Sequence, residues 1–279
     1  MKRKELLVNL IFHIVLIFLC LVCIMPFMTM VATSFSNIKG ILPDKPLLFP
    51  ELPLNFKNYN TVWVDNHFFR YILNSGFLSV GGMCLNVVIS VVVSYGFSRF
   101  EFPGKEAIFN LFLATMMIPA QLAIISQYTV MNSFKLVDRY SAVLLLWTSM
   151  CIAGNTFFYR GFFESIPKEL EESMMLDGAS RFRILISLVV PISKPAISTS
   201  AIFAFTGYWN DLFTVLTFVK SETKRTLPVA LQMFKGQHAT NYGLLFAGSV
   251  IAVIPIIAVF VVFQKQFMQQ GLTDGAVKG

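Results

Sequence analysis

The 279-residue chain is 56% hydrophobic and only 13% charged, about half the charge of an ordinary soluble domain. That leaves too little polar surface for a fold in water and points to one helical bundle in lipid. The net charge is +7, but the lysines and arginines sit in short gaps between apolar runs, which suits loops beside anionic headgroups and argues against a nucleic-acid face.

A helix that crosses the hydrocarbon core needs about 20 apolar residues. Residues 6–38, 71–98, 107–134, 140–159 and 236–264 contain no Asp, Glu, Lys or Arg, and 195–219 contains only Asp211. These runs predict an all-α integral membrane protein with six transmembrane helices, near 10–31, 73–97, 108–131, 141–160, 196–218 and 244–264, forming a single transmembrane domain over 1–279. Pro26, Pro119 and Pro255 fall inside spans, where neighbouring helices re-satisfy the freed carbonyls; a kink is expected at Pro119. Met1-Lys2-Arg3-Lys4 resembles the start of a signal peptide, but the apolar run continues past Met25. Signal cores run only about 7–15 residues, so an uncleaved first span is expected. The basic residues divide almost evenly between the two sides. The cluster ahead of the first span places the N-terminus inside, and an even span count brings the C-terminus, as a tail over 265–279, to the same side.

The outer segments are then 32–72, 132–140 and 219–243. Pro43, Pro46, Pro50 and Pro53 make the first of them extended and turn-rich. Cys20, Cys23, Cys84 and Cys151 lie in or beside apolar runs, so the Cys20-x-x-Cys23 spacing reads as small buried hydrophobes rather than a redox pair. His13, His67 and His238 are scattered, with no metal-ligand spacing. No G-x-x-x-x-G-K-[ST] phosphate loop, H-E-x-x-H or nucleophile elbow occurs. The chain is expected not to hydrolyse ATP and to bind no cofactor.

The inner segment 161–195 is the most densely charged loop. Pro167 suits the start of a helix, and Glu169, Glu171 and Glu172 sit where the helix dipole favours negative charge. Gly178, after Asp177, suits a left-handed cap, and Ser180 suits the N-cap of a second short helix that ends near Pro191 and Pro195. Leu170, Met174 and Met175 form an apolar stripe. Two readings are open for that stripe: a helix lying on the membrane surface, or a dock for a soluble partner.

The run Glu172-Ser173-Met174, Gly178 and Leu188-Val189-Val190-Pro191 has the spacing of the Glu-Ala-Ala loop of bacterial ABC importer permeases, and the chain resembles that family. Ser173 and Met174 stand where the family has alanines, which implies altered packing at the dock. Trp209-Asn210-Asp211, Thr226-Leu227-Pro228-Val229, Tyr242-Gly243-Leu244-Leu245-Phe246-Ala247-Gly248 and the tail Gly271-Leu272-Thr273-Asp274-Gly275 resemble the second permease subunit of maltose and multiple-sugar importers. The resemblance implies an import subunit in the bacterial cell membrane that moves a sugar or oligosaccharide. Its implied partners are a second permease in a heterodimer, two ATP-binding-cassette ATPase subunits that carry the ATP and magnesium, and an extracytoplasmic sugar-binding protein. It assigns ATPase coupling to Glu169, Glu172, Leu176, Asp177, Gly178, Ala179 and Pro191, and tail contact with the ATPase to Gly271, Leu272, Thr273, Gly275 and Lys278. The loop 219–243, with Lys220, Lys224, Arg225, Lys235 and His238, would face the binding protein.

Polar residues within spans allow two roles, a sugar path or hydrogen bonds between helices. They are Gln121, Ser126, Gln127 and Tyr128 in the third span, and Trp209, Asn210 and Asp211 toward the outer end of the fifth, where Asp211 also allows an interfacial position beside a tryptophan belt anchor. The resemblance leaves sugar contact open between this chain and the partner permease. A glycerol-phosphate or polyol importer is the nearest alternative. A self-contained secondary transporter would need ionisable residues in several spans, and only Asp211 qualifies.

Overall fold

The computed structural model describes residues 2–40, 45–236 and 240–276, with side chains for 8–38, 45–119, 121–236 and 240–262. In chain order the main helices are α1 (Lys2–Ser34), α2 (Phe68–Arg99), α3 (Lys105–Met117), α4 (Gln121–Ser133), α5 (Tyr140–Glu164), α6 (Lys168–Leu176), α7 (Arg181–Ile192), α8 (Lys194–Trp209), α9 (Phe213–Phe218) and α10 (Tyr242–Ala276). Four of them are long and apolar enough to cross a membrane: α1 from Val8, α2, α5 and α10 through Val262. The pairs α3/α4 and α7/α8 meet the same test jointly but bend by 86° and 80°. Counting each bent pair as one crossing gives six among the described residues, the number expected, although the pair that forms the fifth begins at Arg181, inside the loop expected over 161–195. The tail expected to begin at residue 265 continues the last helix to Ala276.

The bends have local causes. Proline clashes with the preceding turn and pushes the residue before it out of the α region. Ile118 is accordingly extended (φ −89°, ψ 115°), and α3 ends in a tight 3₁₀ turn over Thr115–Met117. Pro119 therefore breaks its span outright, whereas α1 and α10 run through Pro26 and Pro255. Pro191 does not end its helix either. It lies inside α7, just after a π turn over Leu185–Val189 that absorbs the missing N–H. The expected fifth span, 196–218, is interrupted: α8 stops at Trp209, and Asn210–Leu212 separate it from α9. Asp211 thus lies in a break and not inside a helix.

Two compact units arise, Met1–Arg70 with Ala230–Pro255, and Tyr71–Val229 with Ile256–Gly279. In the first, Lys39–Gly40 (β1) pairs antiparallel with Thr240–Asn241 (β2). The buried Asn58 side chain donates to the carbonyls of Ser34 (2.8 Å) and Ser36 (2.6 Å), satisfying groups that the end of α1 leaves free. In the second, α2 buries Ser75, Ser79, Asn86, Ser90, Ser94 and Ser98. A mostly four-residue spacing puts them on one face, where small side chains let membrane helices approach closely. Two apolar clusters flank that face. One holds Leu78, Trp147, Tyr208, Val215 and Phe218; the other holds Tyr95, Tyr159, Phe163, Ile184 and Val189.

Candidate functional site

The α6–α7 hairpin follows the local chemistry expected of it. Pro167 directly precedes α6, with Glu169 and Glu171 in its first turn. At its end Gly178 is left-handed (φ +80°), and the amides of Gly178 and Ala179 return to the carbonyls of Met175 and Met174, each at 3.0 Å. This closes the helix as a Schellman-type cap. Ser180 Oγ then accepts from the Arg183 amide at 3.3 Å and starts α7.

The apolar stripe divides differently from the expectation. Met174 and Met175 pack inward on the Tyr95–Phe163 cluster, while Leu176, at the tip, is 90% exposed and Phe182 70% exposed. The acidic residues divide as well. Glu169 and Glu172 face solvent, as do Asp177 and Pro191, but Glu171 is buried and paired. Its Oε1 takes the Arg99 Nε–H at 2.6 Å and its Oε2 the Tyr95 hydroxyl at 3.2 Å, with Arg181 at 3.9 Å. Arg99 also donates from Nη2 to the carbonyls of Phe163 (2.7 Å) and Ile166 (3.0 Å), at the end of α5. One arginine thereby joins the ends of α2 and α5 to the hairpin. The tail residues Gly271, Leu272, Thr273 and Gly275 lie on the backbone of α10, with side chains outside the described residues; Lys278 and His238 lie outside them entirely.

The break at Pro119 opens space between the α3/α4 bend and α5. A cavity of about 310 Å³ is lined by Gln121, Gln127 and Asp211 together with Trp147, Cys151 and Tyr208. A second, of about 670 Å³, shares Gln127, Met150 and Cys151 with it and extends past Pro119 to Gly154 and Asn155. Trp147, Cys151 and Asn155 lie about one turn apart and line this side of α5. The Trp147 and Tyr208 rings stack in parallel, 4.5 Å apart, and Gly82 of α2 lies against them. A Cβ there would meet Trp147 at 3.0 Å and Tyr208 at 3.1 Å. Asp211 receives the Trp147 indole N–H on Oδ2 and the Thr214 amide, in α9, on Oδ1 at 3.1 Å. The carboxylate thus caps the helix that follows the break.

Three of the expected polar residues therefore meet in one cavity and four do not. Ser126 is exposed on α4 and lies outside the cavity lining. Tyr128 packs on Phe218 (5.8 Å), with Lys220 Nζ 5.7 Å from its ring. Trp209 is buried against Phe205. Asn210 returns its amide to the Thr206 carbonyl at 2.9 Å and is exposed. Trp147, Tyr208 and Cys151 were missed as lining residues; the one available signal was that a buried indole N–H needs an acceptor.

Between α4 and α5, Asp138 ties two loops together. Its Oδ1 accepts the amides of Lys220 (3.0 Å) and Ser221 (2.8 Å), and its Oδ2 accepts the Ser221 hydroxyl and Lys224 Nζ (3.1 Å). The Ser221 hydroxyl and amide, then Lys224, hold its carboxyl well below the usual range.

With this geometry in hand, residues 86–270 match the family of binding-protein-dependent transport system inner membrane components. The chain belongs to that family. The permease is 32% identical over 268 residues to the probable ABC transporter permease protein YurM of Bacillus subtilis, covering 95% of this chain and 87% of that one. It is 31% identical to the trehalose/maltose transport system permease protein MalG of Thermococcus litoralis, over 99% of both chains. It is 30% identical to the diacetylchitobiose uptake system permease protein DasC of Streptomyces coelicolor, over 92% of both. Among solved structures, the permease fold matches a bacterial ABC transporter involved in import of the acidic polysaccharide alginate, at a TM-score of 0.81 and 23% identity, over 94% of this chain and 97% of that one. The permease is thus a multi-pass membrane subunit of an ABC importer, a transport component.

Proposed function

We propose that this permease carries a sugar or oligosaccharide across the bacterial cell membrane, as one side of a path completed by a second permease. Two ATP-binding-cassette ATPase chains, which bind the ATP and magnesium, drive it by gripping the 168–191 hairpin, and an extracytoplasmic sugar-binding protein delivers the cargo. Both termini and the hairpin then lie on the cytoplasmic side. The Asp138-clamped loops, with Lys220, Lys224 and Arg225, face the binding protein.

The observation that carries this reading is the hairpin tip. Leu176 projects into solvent beside the left-handed Gly178, on a helix held to the bundle by a buried ion pair. An exposed leucine at the end of a braced, two-helix wedge suits a cleft on a partner that must push on it. The trehalose/maltose and diacetylchitobiose relatives support a carbohydrate cargo. Gly178→Leu in the assembled complex is expected to abolish sugar-stimulated ATP hydrolysis while the chain still inserts. Normal stimulation in that variant would overturn the docking assignment.

A further inference from the structure

Two amides in the smaller cavity have no partner among the described residues. Gln121 and Gln127 both line it, and neither makes a side-chain hydrogen bond among the described residues. At membrane depth an amide gains from every bond it completes, so these two are placed to serve what enters. Asp211 is fixed by Trp147 and Thr214, and each carboxylate oxygen keeps a further lone pair for a donor. The stacked Trp147 and Tyr208 rings supply an apolar wall. A volume of about 310 Å³ falls at the small end of ligand sites, which run from about 300 Å³ and combine apolar walls with a few fixed polar groups.

We propose that the permease itself holds a saccharide subsite here, in which Gln121, Gln127 and Asp211 bind the hydroxyls of one neutral sugar ring and the Trp147–Tyr208 wall takes its C–H face. The subsite rests on the carbohydrate reading above. The charge around it assigns the class. Among the described residues no lysine, arginine or histidine lines either cavity, while Asp211 does. A uronate or sugar phosphate would enter beside a carboxylate with no cation among the lining residues to meet it. Neutral sugars bring hydroxyl donors for the carboxylate and matching groups for both amides.

Cys151 borders both cavities and serves as a reporter. In the assembled complex in proteoliposomes, with Cys20, Cys23 and Cys84 replaced by serine, it is the only cysteine of this chain. Labelling of Cys151 by a small maleimide, read by mass on this chain, is followed with maltotriose, diacetylchitobiose, arabinotriose or trimannuronate at millimolar concentration. The neutral sugar that the complex transports should slow labelling, and trimannuronate should not. Gln127→Ala should remove that protection and raise the KM for uptake about fivefold, the worth of one hydrogen bond. Ser126→Ala, on the exposed side of α4, should change neither. If a transported neutral sugar leaves labelling and the Gln127→Ala KM unchanged, the subsite falls while the carbohydrate reading stands. If trimannuronate protects equally, the assignment to neutral sugars falls. If the complex transports none of the panel, both readings fall.

Discussion

Gly82 and Asp138 show how single residues hold local geometry in this permease. Gly82 has room for a hydrogen and little more, because a Cβ would press on both stacked rings at 3.0–3.2 Å. Gly82→Leu should overpack the site and lower stability by about 1–3 kcal/mol, read as a fall in the melting temperature of the purified complex; Gly76→Leu, with no neighbour within 4 Å of its Cβ, should be tolerated. Asp138 makes a pH prediction. Its carboxyl is held below the usual range in the folded chain, so the ionised form is the clamped one. The clamp is complete above about pH 4, where an unfolded aspartate is ionised. It weakens as pH falls below that value and the folded group takes up a proton. The protection of the Lys220 and Ser221 amides, as exchange rate relative to that of a free peptide at the same pH, should fall across that acidic window in the natural chain, and should be low at every pH in Asp138→Asn. At this scale the sequence was partly readable. Asp211 stood out as a lone acid in an apolar run, and its need for a donor followed directly. Its donor, Trp147, is 64 residues away, and no local pattern marks that distance.

At the scale of elements, the hairpin was the most readable part, because its turn is made of local signals. Pro167, Gly178 and Ser180 each do what their backbone chemistry dictates within a few residues. The roles of Glu169, Glu171 and Glu172 were not separable, since three acids in four residues look alike until a fold places Arg99 beside one of them. Arg99 and Glu171 side chains are each only 3% exposed, and breaking one partner of a buried pair leaves a charge without compensation. Glu171→Ala should therefore destabilise the complex by about 3–5 kcal/mol, whereas Glu172→Ala, at an exposed site, should shift its melting temperature little. The two bends differ in the same way. Pro119 announced its kink, and the structure makes it a full break. The gap at Asn210–Leu212 had no proline or glycine to announce it; there the Asp211 carboxylate takes over the capping of the next helix. The polar face of α2 was present in the sequence as Ser75, Ser79, Ser90, Ser94 and Ser98, but in an otherwise apolar span the hydrophobic count masks such a stripe.

Across the whole molecule, α2 connects the two functional regions. Arg99 at its end grips the hairpin, and Gly82 lies under the Trp147–Tyr208 wall. The separation, 17 residues, is about 25 Å of helix at 1.5 Å per residue. Val88 lies between them and is 60% exposed, so its replacement disturbs the helix more than its packing. Val88→Pro removes a ladder hydrogen bond and kinks the helix. It should leave membrane insertion intact while sharply reducing the stimulation of ATP hydrolysis by sugar; Val88→Ala should leave stimulation unchanged. The six-crossing count was legible at this scale because lipid demands long charge-free runs. How the crossings meet was not, because serine and glycine contacts carry no hydrophobic signature.

That connecting helix also settles where the permease bends. A continuous hydrogen-bonded helix transmits a push along its axis with little stretch, so α2 acts as a strut between the hairpin and the cavity wall. The compliance has to lie where the helices already break or bend: at Ile118-Pro119, at Ser193 between α7 and α8, and at Asn210–Leu212. Two of those joints border the cavities. On the proposed coupling, a stroke delivered at Leu176 would be converted from movement of a rigid strut into rotation at the joints beside the proposed subsite.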